Sequence, residues 1–203
     1  MNKDVSELKV RINQQQEQVI DGSIEQLDKW WKEATGSIFQ TGQLIHCVEI
    51  DGKIFYDGYE QYLFLNVDQI QCVNINTLSR LESIVSTEQE LDQYLSRFIP
   101  AAKSVANQLY GGLNQENAGL LSQLVQGLEW VSSAVALNVK LYMEETENLP
   151  EYLAEITSVN QYISVMHTNI QQDDFVGVSD VLEYEIIPAL ENYHSQYKEK
   201  VSA

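Results

Sequence analysis

The stretch Asn117–Glu145 (NAGLLSQLVQGLEWVSSAVALNVKLYMEE) leaves this chain few ways to fold. It is the longest proline-free segment with helical apolar spacing. Leu120, Leu121, Leu124, Val125, Leu128, Val131, Val135, Val139 and Tyr142 recur at steps of three and four, so they share one wide stripe of a helix. A stripe that wide can touch two or three neighbours at once. Gln123, Gln126, Glu129, Asn138 and Lys140 interrupt it, and the segment never offers the roughly 20 uninterrupted apolar residues of a membrane span. It reads as the central helix of a bundle.

The chain around it is expected to be helical from Leu78 to its end. Leu78–Val85 reads as a short helix, and Thr87 with Glu90 has the spacing of a capping box, so a restart is expected there. The next helix carries Pro100, whose missing N–H predicts a kink, and Gly111-Gly112 stops it. Asn114 is placed to cap the central helix. Pro150 opens another, with a stripe from Leu153 to Ile170, and the last helix runs from about Asp174 to Lys200 with Pro188 as a kink. Connections of about two to six residues make antiparallel neighbours, and four helices with an up-down-up-down course follow.

Before Leu78 the periodicity differs. Leu8–Asn13 (LKVRIN) alternates apolar and polar residues as a strand does. Ser23 with Gln26 suggests a capped helix over Ile24, Leu27, Trp30 and Trp31, ending near Gly36. Adjacent tryptophans lie about 100° apart on a helix, which predicts that one of the two is partly exposed. LIHCVEI, Asp51-Gly52 and KIFY form a hairpin signal, because a type I′ turn needs positive φ at both central positions. Tyr59–Asn66 fits a strand or a helical turn equally, and Gln69–Asn76 reads as a further strand. The expectation is an α+β chain, mainly α: a small antiparallel sheet with one helix over residues 1–77, then a four-helix bundle over 78–203. The junction at Asn76–Ser79 is short, and two halves joined so tightly are expected to pack together.

Charge narrows the function classes. The net charge is −18, and between Leu141 and Tyr197 there is no Lys or Arg. Nucleic acid and anionic membrane need clustered cations, so neither is an expected partner. A basic protein partner is compatible with this surface, and so is a merely solubilising acidic face. MNKDVSELKVRI has no apolar run for a leader, KEKVSA carries no lipidation signal, and Cys47 and Cys72 are too few for a disulfide framework. A cytoplasmic location is the expectation.

Catalytic and metal motifs are not supported. A di-iron bundle needs two Glu-x-x-His elements; Glu191-x-x-His194 supplies one, and His167 has Ser164 in the other place. A zinc site would need His46 beside Cys47 and Cys72, but His46 and Cys47 are adjacent on a strand and point apart. Cys47 has apolar flanks with no Gly-rich elbow for nucleophilic catalysis, and Gly111-Gly112 lacks the strand and Lys of a phosphate loop. No cofactor is called for. Two surfaces stand out instead. Tyr56, Tyr59 and Tyr62, with Trp31, combine apolar area with polar tips, as recognition surfaces do. On the last helix Asp180, Glu183 and Tyr184 share a flank that could receive an amine, a Lys or an Arg, while Glu185 lies about 200° from Glu183. Each also has a plain structural account, as a sheet-to-helix contact and a solvated helix edge. These surfaces suggest an accessory protein acting by binding, with a homodimer through the sheet edge or the bundle as one form. A small-molecule binder or enzyme with a pocket between the halves is the alternative.

Overall fold

In a computed structural model the structure describes residues 7–146 and 148–202. Met1–Ser6, on which part of the leader reading falls, Glu147 and Ala203 lie outside them. The fold is α+β and mainly α, a small N-terminal sheet followed by helices. The chain divides into two units between Ser83 and Ile84. None of the described helices is long and apolar enough to cross a membrane.

The first unit contains β1 (Glu7–Ile12), β2 (Gln18–Asp21), α1 (Ile24–Gln40), β3 (Gln43–Ile50), β4 (Lys53–Phe55), α2 (Tyr59–Asn66) and β5 (Cys72–Ser79). The sheet order is β2-β1-β5-β3-β4. The expected all-antiparallel sheet is corrected here. β5 enters between β1 and β3, antiparallel to β3 and parallel to β1, because the chain returns through α2 rather than by another hairpin. β5 suits that central place: Val73 and Ile75 are fully buried on the face toward the helices, and Asn74 is buried on the other. Two helices, not one, cover the sheet. Leu8, Val10, Val48 and Ile50 join Val73 and Ile75 beneath Leu27, Trp30 and Ala34 of α1 and Leu63 of α2.

Both tryptophans are buried, Trp30 to 8% and Trp31 to 5% exposure, against the expectation that one would face solvent. α2 supplies the missing cover. Trp31 lies 5.8 Å from Tyr59 and its Nε1 donates to Glu60 Oε1 at 3.1 Å. α1 also runs past Gly36, where an added Cβ would meet nothing within 4 Å, and stops before Gly42 at φ 71°. Its start is as read, with Ser23 Oγ accepting from the Gln26 N–H.

α3 (Arg80–Leu109) is one unbroken helix through Thr87 and Glu90. The capping box that starts it is Ser79 with Glu82: the Ser79 N–H donates to Glu82 Oε2 at 2.8 Å, and the Glu82 N–H to Ser79 Oγ at 3.2 Å. α4 (Gln115–Thr146) is the central helix, capped by Asn114, whose Oδ1 accepts from the N–H groups of Glu116 and Asn117. The helix expected from Pro150 breaks in two, α5 (Glu151–Ile156) and α6 (Val159–Gln171). At the break the Thr157 and Ser158 hydroxyls bond back to the carbonyls of Ala154 and Glu155, competing with the helical ladder. The last segment is α7 (Phe175–Val181), a π-turn over Leu182–Ile186, and α8 (Ile187–Ser202). Pro188 explains the π-turn, since widening the helix relieves the clash of its ring with the carbonyl one turn back.

Contacts across the second unit fix its course. Ile84 meets Asn138, Glu88 meets Tyr142 and Tyr94 meets Trp130, so α3 and α4 are antiparallel. Ser132 meets Asn160 and Glu129 faces His167, so α4 and α6 are antiparallel too. Asp92 meets His194 and Lys103 meets Glu191, which sets α8 against α3. The result is the up-down-up-down bundle. Leu95, Leu109, Leu128, Met166, Leu182 and Leu190 are fully buried within it, each worth about 1.5–3 kcal/mol of burial.

Candidate functional site

At the outer edge of the sheet, Asp51 and Gly52 adopt φ of 49° and 81°, the positive pair that a two-residue turn needs. Asp51 Oδ1 also accepts from the N–H groups of Gln71 and Cys72, tying the turn to β5. In such a hairpin the closing pair, Ile50 and Lys53, exchanges both hydrogen bonds. The next pair, Glu49 and Ile54, therefore turns its N–H and C=O groups away from each other. Ile54 thus presents an unpaired backbone donor and acceptor at the open edge, and its side chain is exposed.

Aromatic rings surround that edge. Phe55 packs on Tyr62 at 4.7 Å, the Lys53 ammonium sits 4.8 Å over Phe55, and Tyr56, 67% exposed, meets His46 at 5.6 Å. The ambiguous stretch Tyr59–Asn66 is the helix α2, entered through Gly58 at φ 60°. Helical spacing separates the tyrosines by role. Tyr62 stays at the surface, whereas Tyr59 turns into the seam with Trp31, where burial first and the Glu60 charge second push its phenol up. Of the four residues singled out there, Tyr56 and Tyr62 are exposed beside the edge, whereas Tyr59 and the buried Trp31 pack on each other between α1 and α2.

The second sequence candidate does assemble, with a different phenol. Asp180 and Glu183 flank the start of the π-turn, and Tyr110, just past α3, donates to Asp180 Oδ1 at 2.8 Å and lies 3.2 Å from Glu183 Oε2. Tyr184 is largely exposed. A phenol has one hydrogen to give, so one carboxylate keeps lone pairs for an incoming cation. The bond to Asp180 foremost, then burial, drives the Tyr110 phenol well above its ordinary 10.0. The folded state therefore holds that proton more tightly than the unfolded chain, and its stabilising effect is complete below pH 10 and lost as pH rises beyond it. Following phenolate absorbance with pH should show a delayed class of tyrosines, and Tyr110→Phe should remove one member of it.

Two further features join residues that no local spacing brings together. Asp92 Oδ1 and His194 Nε2 lie 2.9 Å apart beside a groove of about 410 Å³ that includes Ser96, Pro100 and Ser195. The two atoms are close but not aligned as a hydrogen bond, and Ser96 Oγ is committed to the Gln93 carbonyl. Glu191, the other half of the sequence motif, pairs instead with Lys103 at 2.7 Å. A mostly apolar groove of about 570 Å³ lies between α4 and α6, lined by Leu121, Val125, Ile170 and Phe175 with His167 and Asp173 at its polar side. Cys47 pairs with Asn76 rather than Cys72, and β3 bulges at His46. Among the described residues no three His, Cys, Asp or Glu side chains converge as a metal site would require.

Residues 86–196 match the family described as a domain of unknown function, DUF8042, and the chain belongs to that family. The match covers α3 from its second turn through most of α8. No curated protein and no solved structure matches the chain.

Proposed function

We propose that the chain is a cytoplasmic accessory protein that acts by binding, receiving an extended segment of a basic protein partner along β4. The observation that carries this is the open β4 edge: the outward backbone groups of Ile54 flanked by exposed Ile54, Tyr56 and Tyr62. Free strand-edge groups are met most completely by another strand, and the tyrosines give side-chain specificity beside it. A net charge of −18 favours a basic segment.

The test is Ile54→Pro. Its N–H faces outward, so proline removes the donor while leaving the β3 pairing intact. Tagged wild-type chain should hold a near-stoichiometric partner that crosslinks at Tyr56. Release should follow as salt rises from about 50 to about 500 mM, where screening shortens the reach of charge to a few ångströms. Ile54→Pro should lose that partner at least about tenfold with an unchanged melting temperature, whereas Leu120→Ala on the helical unit should keep it. Equal retention by Ile54→Pro overturns the reading. A dimer that the same substitution turns into a monomer would assign the edge to a second copy. Recovery of the chain alone with a small molecule bound would move the function to the apolar groove between α4 and α6, whose volume suits a compact organic ligand.

A further inference from the structure

At the end of the bundle away from Tyr110, Glu88 is buried in α3, its side chain 3% exposed. Two phenols and one ammonium converge on it. Tyr142 of α4 donates to Glu88 Oε1 at 2.9 Å, and Tyr152 of α5 donates to the same oxygen. Lys200 of α8 reaches Glu88 Oε2 at 3.1 Å, the Tyr142 oxygen at 3.2 Å and the Tyr152 oxygen at 2.8 Å. Its ammonium also lies 5.0 Å from the ring centre of Tyr152 and 5.8 Å from those of Tyr142 and Tyr197. Tyr197 is stacked in turn on the fully buried Tyr193, which fixes that wall.

The hydrogen-bond inventory closes. Each phenol gives its one hydrogen to the carboxylate and keeps a lone pair for the ammonium, and the three ammonium hydrogens have three acceptors. A trimethylated ammonium would bring no donors to three acceptors, and a planar guanidinium would not fit a three-point apex. The set is specific for –NH₃⁺ on an alkyl stem, with aromatic faces around the charge.

The members differ in how firmly they are held. Glu88, Tyr142 and Tyr152 sit inside α3, α4 and α5 within the span that matches the family, whereas Lys200 comes from α8 beyond that span. Its side chain is 44% exposed, and the adjacent Val201 is exposed. When Lys200 withdraws into solvent, the walls remain with a buried carboxylate that lacks its cation and is open to another. Between Leu141 and Tyr197 the sequence offers no Lys or Arg to replace it.

From this arrangement we propose that Glu88, Tyr142, Tyr152 and Tyr197 form a receptor for a primary alkylammonium, which the chain fills in cis with the partly exposed Lys200 and which a lysine side chain or a free alkylamine takes in exchange for it. It does not rest on the β4 reading and stands or falls separately. The test uses Lys200→Ala in the full chain with propylammonium, the fragment that the substitution deletes. Propylammonium should raise the melting temperature of Lys200→Ala by several degrees and leave wild type unmoved, because its site is already filled. Tetramethylammonium and guanidinium at equal ionic strength and low concentration should not reproduce the rise, and adding Glu88→Gln should abolish it. If Lys200→Ala is unfolded alone, propylammonium must restore its helical signal. A Gly-Lys-Gly peptide blocked at both ends and free cadaverine separate the sources. Either should bind Lys200→Ala at least about tenfold more tightly than wild type, and the tighter of the two names the ligand as a protein lysine or a free amine. No selective effect of any primary ammonium on Lys200→Ala overturns the proposal.

Discussion

Gly127→Ala should lower the stability of the helical unit by about 2 kcal/mol, although alanine is the better helix former. Gly127 is buried in the middle of α4, opposite the stacked rings of Tyr94 and Phe98 on α3. A Cβ at this position would meet the Tyr94 hydroxyl and stand 2.6 Å from Phe98 Cε2 and 3.2 Å from Cδ2. Neither ring can withdraw freely: Phe98 is buried, and Tyr94 is also packed on Trp130 at 4.7 Å. Overpacking of this kind costs about 1–3 kcal/mol, occasionally more. The alanine recovers about 1 kcal/mol of helix propensity. With two rings in the way, the overpacking cost belongs near the upper end of its range, which leaves a net loss of about 2 kcal/mol. Gly119, earlier in the same helix, is the control. It is exposed and an added Cβ meets nothing within 4 Å, so Gly119→Ala should stabilise by about 0.5–1 kcal/mol. Urea titrations of both variants, read as a shifted midpoint at unchanged slope, decide it. Two substitutions of equal sign would mean that α3 and α4 are not in close contact at Gly127.

That contact illustrates what could be read from the amino-acid sequence and what could not. α4 was legible because its stripe repeats over about six turns, and its Asn114 cap and the Asp51-Gly52 turn were legible because each depends on residues next to one another. Capping by spacing alone was less secure. Thr87 and Glu90 have the pattern of a box yet lie inside α3, where the backbone donors are already satisfied, while Ser79 and Glu82 make the actual box. β2 (Gln18–Asp21) is short, half polar and at an edge, so too little of it is buried to leave an alternating pattern. The parallel pairing of β1 with β5 depends on where α2 returns the chain, which no local spacing records.

The candidate sites divide along the same line. Asp180 and Glu183 were found together because three residues on a helix share a flank, but the phenol that joins them, Tyr110, is 70 residues away from Asp180. Asp92 with His194 and Glu88 with Lys200 likewise join helices far apart in sequence. Tyr59 and Tyr62 were correctly near one another, yet their opposite surroundings depend on a helix that the composition YEQYLFLN does not distinguish from a strand. Long-range polar pairing leaves no period in a sequence, and the pairs that build these sites are of that kind.

The largest loss from a single polar residue is expected at Glu88. Glu88→Ala should cost about 3 kcal/mol. Breaking a buried ion pair by removing one partner costs about 3–5 kcal/mol, and here the surviving Lys200 is partly exposed and regains water, which places the loss at the lower end. Much of that loss is the stranding of the Tyr142 and Tyr152 hydroxyls, which both donate to the carboxylate and cost about 1 kcal/mol each when left unmet. Glu88→Gln keeps an oxygen for those phenols and loses the charge, so its cost should be about half. Lys200→Met removes the cation but leaves the carboxylate held by both phenols, at a cost of about 2 kcal/mol. The two effects share one interaction, so the double variant Glu88→Gln/Lys200→Met should cost clearly less than the sum of the singles. The pH course carries an independent check. Burial works to lower the Lys200 ammonium, but its bonds to Tyr142 and Glu88 prevail and raise it above 10.5. A raised cation stabilises fully below its unfolded value and ceases to do so as pH climbs through the folded one. Wild type and Lys200→Met should therefore differ in stability at neutral pH and converge at strongly alkaline pH. A loss at Glu88→Ala below about 0.5 kcal/mol, or a difference between wild type and Lys200→Met that does not narrow with alkali, would mean that the carboxylate and the ammonium are not paired in solution.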